Sequence, residues 1–341
     1  MTSTLRVERM TLARRLLAMF VALAAAASYF VVSAQPSSAK TLIPLQIGAP
    51  VVPVVGLTPE LSGPAGWAIE QGKANAILAK YGYSYGGFVG FDNGPPAAQA
   101  LASGSIQIAA IGDAPAVLSR AAGQPNRAIL MQNEPGGVWI VARDGGPTSF
   151  ADLKGEKVGS QFGSDFDHYL RYALAKAGMT NQVTLVNLLF ADAYAALTSG
   201  AIEADAAPSS IAAVWEAKGG VTIIQKAEVA HPSFASADVS LVTSSFLKAH
   251  PNIQQAWWAV YNEGQTLIKK NPSAYLAWTA KESGETPALA KETTILAYQS
   301  APITTTALKT VTSTEQFLVS QKLAAASFSI TNWSVDPPKG G

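Results

Sequence analysis

Apolar and polar residues alternate along this chain in blocks that have the lengths of single strands and helices. From Phe166 onward the apolar residues recur at every third or fourth position, which is the spacing of one buried helix face. Ser164 or Asp165 can cap the start of this helix, and Gly178 closes it. The short run Lys157–Gln161 comes before it, so the stretch predicts one strand, turn and helix unit.

The turn inside this unit is a first candidate for a binding site. Gly163 lets the backbone bend sharply just before the helix, and the first N–H groups of a helix have no partner within it. We therefore expect free N–H groups near Gly163 and Ser164, which would suit an anion or another acceptor. An ordinary capped helix in an α/β sheet is the alternative.

The scheme of strand followed by helix repeats along most of the chain. Strands are predicted at Leu42–Ile47, Tyr83–Phe91, Ile106–Ile111, Ala128–Met131, Val183–Leu189, Ile202–Ala207, Val221–Ile224 and Ser240–Thr243. Helices are predicted at Trp67–Lys80, Pro95–Ser103, Asp113–Ala122, Ala191–Thr198, Ser209–Ala217, Asn252–Lys270, Ser273–Glu282, Pro287–Tyr298 and Ser313–Ala326. Such alternation favours parallel sheets with helices on both faces, and we expect two of them.

In sheets of this kind the ligand lies outside the carboxyl ends of the strands, where helix N-termini converge. The turns at that edge are therefore expected to line one cleft between two lobes. They are Gly48–Pro53, Asn93–Ala97, Gly112–Pro115, Gly163–Asp165 and Ala207–Ser210.

Residues 1–39 have the pattern of an export signal. Four arginines precede the apolar run Leu16–Val32, and small residues follow it. Cleavage after Ala34 and cleavage after Ala39 both fit. An uncleaved membrane anchor is the alternative, because the apolar run is nearly long enough to span a bilayer.

Composition narrows the possible functions. The 341 residues are 48% hydrophobic and 14% charged, which excludes disorder as a description of the whole. Without residues 1–39 the chain is near neutral, so no field that gathers nucleic acid or anionic membrane is expected. The absence of cysteine excludes a lipid-modified cysteine, a disulfide and a thiol nucleophile. The three histidines are far apart, and we expect no metal or other cofactor.

Several segments together resemble the substrate-binding proteins of ABC importers for alkanesulfonates, taurine and nitrate, a family that includes thiamine-precursor binders. The resemblance runs from about Gln46 to about Gly284, and its motifs occur in the expected order. They are GPPAAQALASGSI at Gly94–Ile106, GDAPAVLSRAAG at Gly112–Gly123, DLKGEKVGSQFGS with DHYL at Asp152–Leu170, ADAYAALTSGAIEA at Ala191–Ala204 and SSFLKAHP at Ser244–Pro251.

This resemblance implies a type II periplasmic binding fold of the α/β class. Two lobes, each with a mainly parallel sheet flanked by helices, would close on a ligand in the cleft between them. Residues 40–137 and 238–341 would form the first lobe, and 138–237 the second. The positions expected near the ligand are Gly94, Pro95, Gly112, Asp113, Gly163, Ser164 and Pro208.

Two positions depart from the alkanesulfonate branch, and both concern the ligand. Gln107 stands where that branch usually has Asp, and Ala206-Ala207-Pro208 stands where it usually has Trp-Asp-Pro. Asp113 and Asp165 would also repel a sulfonate. Either Asp113 caps its helix and faces away, or the ligand carries an amine, as taurine does.

Three other side chains near the predicted cleft have open roles. His168 is expected to be a solvated or structural histidine rather than a ligand contact. Arg143 lies near the crossing between the lobes and could reach the cleft. Trp139 either stacks on a ligand or anchors the hinge.

We therefore expect a periplasmic, monomeric solute-binding protein that captures an aliphatic sulfonate or related organosulfur compound. It would deliver the solute to an ABC permease in the inner membrane. Nitrate, taurine, an aromatic acid and a thiamine precursor stay open as ligands. An enzyme on the same fold is the second hypothesis, although sulfinate desulfinases of that kind use a cysteine nucleophile, which this chain lacks.

Overall fold

The computed structural model describes residues 41–51, 54 and 56–336. The predicted export signal and its two cleavage positions lie outside these residues. So does part of the predicted turn at Gly48–Pro53.

Ten strands lie in the described part of the chain. They are β1 (Ile43–Pro50), β2 (Tyr83–Phe91), β3 (Ile108–Gly112), β4 (Asn126–Pro135), β5 (Val138–Arg143), β6 (Lys157–Ser160), β7 (Thr184–Asn187), β8 (Ala204–Pro208), β9 (Val221–Lys226) and β10 (Ala235–Thr243).

Helices fill most of the connections. They are α1 (Gly63–Glu70), α2 (Ala74–Ala79), α3 (Gly94–Ala102), α4 (Asp113–Ala121), α5 (Asp165–Lys176), α6 (Phe190–Thr198), α7 (Ser209–Lys218), α8 (Ala227–Ala230), α9 (Ser244–Ala249), α10 (Ile253–Lys270), α11 (Pro272–Ser283), α12 (Pro287–Thr293), α13 (Thr305–Ser320) and α14 (Ile330–Trp333). A short 3₁₀ helix covers Phe150–Leu153.

The strands form two five-stranded sheets, in the orders β2-β1-β3-β10-β4 and β7-β6-β8-β5-β9. In the first sheet β1 is parallel to β2 and β3, whereas β10 is antiparallel to β3 and β4. In the second, β6 is parallel to β7 and β8, whereas β5 is antiparallel to β8 and β9. The chain crosses between the sheets before β5 and again before β10. The predicted α/β class with two helix-flanked sheets is confirmed.

Each sheet buries apolar side chains on both faces. In the first sheet, Leu45 and Ile129 pack with Trp257 of α10 on one face, while Ile111 and Met131 belong to the cluster on the other. The second sheet likewise has a cluster with α5 and another with α6 and α7. Helices α10 and α13 pack on the first sheet, whereas Leu289 of α12 packs against the cluster of the second sheet. The predicted lobe boundaries at 137/138 and 237/238 stay a prediction.

The sequence pattern misplaces several element ends. The helix predicted at Trp67–Lys80 is two helices, because the chain turns at Gly72, whose φ is +66°. The last two predicted helices also differ: α12 ends at Thr293, and α13 begins at Thr305.

The strands β4 and β10 are both longer than predicted. The sequence pattern ends the first at Met131 and starts the second at Ser240, because the added residues are largely polar. These polar ends include Gln132, Glu134 and Asp238. In a sheet, polar residues at such positions indicate that one face of the strand meets solvent or a cavity.

No helix in the described part of the chain is both long enough and apolar enough to cross a membrane.

Candidate functional site

A cavity of about 470 Å³ lies between the two lobes. Each of the five turns predicted to line a cleft contributes to its wall, through residues such as Pro50, Asn93, Pro115, Asp165 and Ser210. The carboxyl edges of both sheets therefore face the same space. This is the position that the strand topology predicts for a ligand.

The predicted site residues divide into two groups. Gly94, Gly112, Ser164 and Pro208 line the cavity. The other three, Pro95, Asp113 and Gly163, are not part of its wall, although each is adjacent in sequence to a residue that is. That all of them contact a ligand stays a prediction.

The N–H groups of Gly163 and Ser164 themselves are not free, whereas free N–H groups in the first turn after them stay a prediction. The N–H of Gly163 donates to Asp167 Oδ2 (3.2 Å), and the N–H of Ser164 donates to the carbonyl oxygen of Gln161 (3.1 Å). Ser164 is the N-cap, and its Oγ accepts from the N–H of Asp167 (3.3 Å). The alternative, an ordinary capped helix, is what the structure shows here.

Asp165 reaches across the cleft to the other lobe. Its Oδ1 accepts a hydrogen bond from the N–H of Ala114 (2.9 Å), at the start of α4. Its Oδ2 lies against Gly112, so closely that a Cβ at Gly112 would be 1.5 Å from that oxygen. A carboxylate of the second lobe thus occupies a helix N-terminus of the first, where an anion is favoured.

Asp113 does not cap α4, so that part of the first alternative is wrong, although its side chain does not line the cavity. Gly112 is the N-cap residue, and the Asp113 side chain is fully buried, with its Oδ2 accepting from Thr314 Oγ1 (2.7 Å). Its Oδ1 has no hydrogen-bond partner. Burial raises the pKa of Asp113 well above its usual range, and the neighbouring charge of Asp165 raises it further. Burial also raises the pKa of Asp165, to about 6.

A second pair of carboxyl groups lies on β4 and β10. Glu134 and Asp238 both line the cavity. Gln132 Nε2 donates to Glu134 Oε1 (3.2 Å), and the hydroxyl of Tyr261 donates to Gln132 Oε1. Burial raises the pKa of Glu134 well above its usual range, with a further contribution from Asp238, and burial likewise raises the pKa of Asp238.

Among the described residues, no lysine, arginine or histidine lines the cavity. The arginines are engaged elsewhere. Arg143 pairs with Glu203 (2.7 Å) and Arg171 with Asp167 (2.9 Å). The idea that Arg143 reaches the cleft is therefore wrong. The remainder of the wall is partly aromatic, with Tyr275, Trp278 and Tyr298 on the side of the C-terminal helices.

His168 and Trp139 both have structural surroundings. His168 is buried between Phe234 and Phe317, so it is a structural histidine and not a solvated one. Burial lowers its pKa to about 4, so its imidazole is neutral at neutral pH. Trp139 is 2% exposed, and its Nε1 donates to Glu228 (2.8 Å) next to the crossing. It fits the hinge-anchor role and does not line the cavity.

Sequence reasoning missed the carboxylates of Glu134 and Asp238 and the aromatic wall. Glu134 had a recognisable signal, because it lies at the carboxyl end of a buried strand, just before the crossing between the lobes. The aromatic wall had no such signal, because it comes from α11 and the loop after α12, which lie more than about 130 residues further along the chain.

A family model described as "NMT1/THI5 like" matches residues 92–275, which is more than half of the chain. The chain belongs to the NMT1/THI5-like family. The family match begins just before α3 and ends within α11, so it includes residues of both lobes and about half of the cavity wall.

Known relatives of this NMT1/THI5-like protein are named for solute binding. It is 28% identical over 234 residues to a protein of Escherichia coli K12 named as an aliphatic sulfonates-binding protein, covering 63% of this chain and 70% of that one. It is 26% identical over 250 residues to the taurine-binding periplasmic protein of the same organism, covering 68% and 76%.

A solved structure shows the same fold. The alkanesulfonate-binding protein SsuA of Xanthomonas axonopodis pv. citri, bound to MOPS, superposes with a TM-score of 0.69 at 22% identity. The superposition covers 86% of this chain and 98% of that one. The predicted periplasmic binding protein fold and the predicted family are both confirmed.

Proposed function

We propose that this protein is the solute-binding component of an ABC importer and that its solute is an organosulfonate. Its two lobes enclose the solute in the cavity between the sheets. It then presents the loaded form to a permease in the inner membrane. Export by the N-terminal signal would bring the protein to the periplasm, where we expect it to act as a monomer.

The cavity between the lobes carries this proposal. Its volume of about 470 Å³ lies within the range of small-molecule sites. Its wall combines the starts of α3 and α4 from one lobe with the starts of α5 and α7 from the other. A solute in this position contacts both lobes at once, so its binding energy favours closure.

The sulfonate class rests on the relatives, which are named for aliphatic sulfonates and for taurine. We also propose that the solute is bound without being transformed. The chain contains no cysteine to act as a thiol nucleophile. Ser164, at the start of α5, donates to the Gln161 carbonyl oxygen (2.6 Å), and no histidine is among its hydrogen-bond partners.

A thermal-shift screen of residues 40–341 tests the proposal. The panel contains alkanesulfonates, aminosulfonates, aromatic sulfonates, nitrate, sulfate and thiamine precursors. A solute at 100 times its dissociation constant stabilises the folded protein by about 2.7 kcal/mol. We expect a shift with sulfonates, and chromatography of the incubated solute should recover it unchanged.

Two results would contradict the proposal. Shifts with nitrate or thiamine precursors and none with any sulfonate would exclude the solute class. Loss of the sulfonate with release of sulfite would show turnover and exclude a binding protein.

A further inference from the structure

His168 lies where the two lobes meet, outside the wall of the large cavity. Its ring contacts Phe234, just before β10, with the ring centres 5.2 Å apart. It also contacts Phe317 of α13, in the first lobe, with the ring centres 5.1 Å apart. Since only 4% of His168 is exposed, the first lobe supplies part of the cover that keeps water from this ring.

A second cavity, of about 160 Å³, lies beside His168 and has walls from both lobes. The α5 residues in this wall recur at the spacing of one helix face, so that face is turned toward the first lobe. Lining residues of the second lobe include Ser164, His168 and Arg171, and those of the first lobe include Leu118, Leu318 and Leu323.

The contacts around His168 continue the contact between the lobes at the cleft. Asp165 accepts a hydrogen bond from the N–H of Ala114 across the cleft (2.9 Å), and it precedes His168 by three residues on α5. Residues three apart on a helix are neighbours on its surface. Lobes that separate at Asp165 therefore also withdraw α4 and α13 from His168 and give water access to its ring.

The closed arrangement is built around the neutral form of this ring. In the described part of the chain the buried Nδ1 of His168 has no hydrogen-bond partner. Burial lowers the pKa of His168 to about 4, whereas the pKa of an imidazole in water is about 6.5. A proton on the ring is therefore unfavourable while the first lobe covers it.

Charged groups near the ring do not compensate such a proton. Asp167 and Arg171, which line the second cavity with His168, pair with each other (2.9 Å). Other charged or titratable residues on the surrounding elements are Asp165, Tyr169, Tyr172 and Lys176 on α5, Asp113 and Arg120 on α4, Lys309 and Glu315 on α13, Lys322 after it, and His231 before β10. Burial alone accounts for the lowered pKa of His168.

We propose that His168 is a pH-sensitive contact between the lobes, and that a proton on its ring opens the lobes and releases the solute. Release of a solute rests on the proposed function, whereas the opening itself does not. Because the closed form has the lower pKa, closure is fully favoured above about pH 6.5 and is lost progressively as the pH falls toward about 4.

Small-angle X-ray scattering of residues 40–341 without any solute tests the opening. We expect the radius of gyration of the wild type to be larger at about pH 5 than at about pH 7.5. His168→Phe should have the same radius at both pH values, because its ring takes up no proton. This variant loses no hydrogen bond at Nδ1, and the second cavity gives room for the larger ring.

Two further variants make the result specific. His168→Gln is also uncharged but smaller, so it should behave like His168→Phe. His231→Gln is the matched control, because His231 contacts the rings of Tyr169 and Tyr172 within the second lobe. It should open at about pH 5 as the wild type does. Melting curves at both pH values confirm that each variant is folded.

Titration calorimetry with ethanesulfonate tests the release. We expect the wild type to bind up to about 30-fold more weakly at about pH 5 than at about pH 7.5, as follows from pKa values of about 4 closed and about 6.5 open. His168→Phe should not show this loss. The carboxyl groups of the large cavity act in the opposite sense, since their protonation favours an anion.

The outcomes separate this proposal from the proposed function. A radius of gyration that is independent of pH in the wild type, or that changes equally in His168→Phe, overturns the His168 contact even if sulfonates bind. Opening that requires His168, in a protein that binds no sulfonate at either pH, supports the contact and contradicts the proposed solute class.

Discussion

Two aspartates of this protein each contact a glycine with their carboxylate, one between the lobes and one inside the second lobe. Asp165 contacts Gly112 across the cleft, and a Cβ at Gly112 would lie 1.5 Å from its Oδ2. Asp205 contacts Gly159 inside the second lobe, and a Cβ at Gly159 would lie 2.2 Å from its Oδ2. The local contact is similar, but the first joins two lobes and the second joins two strands of one sheet.

The comparison indicates that a buried carboxylate can take part in binding only if it also borders a cavity. Asp205 is fully buried, and neither of its carboxylate oxygens has a partner. Burial raises its pKa well above the usual range, and Asp205 does not line the cavity between the lobes. Asp165 lines the cavity, so a solute or a lobe movement can change its surroundings.

The largest effect is expected from Gly112→Ala. Its Cβ would take the place of the Asp165 carboxylate, so the lobes could not approach as closely as they do in the structure. We expect solute affinity to fall about 100-fold, or about 2.8 kcal/mol, as measured by titration calorimetry. The melting temperature should change little, because the contact is between lobes rather than within one.

A double variant checks this cause. Gly112→Ala combined with Asp165→Ala removes the carboxylate that the new methyl group meets, so closure should be sterically allowed again. If the double variant binds no better than Gly112→Ala alone, the lobe contact is not the reason for the loss.

The matched change in the second lobe is Gly159→Ala. Here the added Cβ meets Asp205 Oδ2 and, at 2.9 Å, Ile202 within a packed core. Overpacking of this kind costs about 1–3 kcal/mol of unfolding free energy, which urea denaturation would measure. Solute affinity of the folded protein should be unchanged, and a large loss of affinity would break the contrast between the two contacts.

The pH dependence of the stability of Asp205→Asn is a further test of the difference between the two aspartates. The pKa of Asp205 is higher in the folded state than in the unfolded state. The protonated Asp205 therefore adds to the unfolding free energy below its unfolded pKa, and this contribution is lost as pH rises through its folded pKa. At pH 8 the variant should therefore be more stable than the wild type, because Asn, unlike Asp205, does not have to take up a proton or bury a charge when the protein folds.

The pH series also contains the test of this explanation. The ordinary pKa of an aspartate is about 3.9, so at about pH 3 and below Asp205 is largely protonated in both states and the advantage of Asp205→Asn should nearly vanish. Unfolding free energies measured from about pH 3 to about pH 8 would show this fall, and an advantage that is constant with pH would contradict the explanation.

The smallest effect is expected from Thr314→Val, which removes the hydrogen bond that Thr314 Oγ1 donates to the buried Asp113 carboxylate. We expect a loss of about 1 kcal/mol of unfolding free energy, the usual net contribution of one hydrogen bond. Urea denaturation measures it. Thr312→Val is a fitting control, since its hydroxyl donates only to the Leu308 carbonyl oxygen (2.7 Å).

The contrast also explains how much the sequence could predict. Strand and helix periodicity predicted the two sheets, and β2 was predicted residue for residue. Turn residues at the strand ends predicted which segments line the cavity. These features depend on the spacing of apolar and turn residues along the chain, which can be read from the sequence.

The roles of the acidic side chains could not be predicted in the same way. Asp113 was expected to cap its own helix, but Asp165 of the other lobe makes that contact with Ala114. Glu134 and Asp238 meet only because β4 and β10, separated by about 100 residues, are neighbours in one sheet. Such contacts depend on strand register and lobe approach, which periodicity does not reveal.

The central claim is that the two lobes close on a solute, and an interlobe distance measures it most directly. The chain has no cysteine, so Gln99→Cys in the first lobe and Asp192→Cys in the second, both exposed, would carry the only two spin labels. A pair within one lobe, Lys80→Cys with Gln99→Cys, serves as control. We predict that a saturating sulfonate shortens and narrows the interlobe distance distribution and leaves the control unchanged. An interlobe distribution that stays the same when the solute is bound would contradict the account.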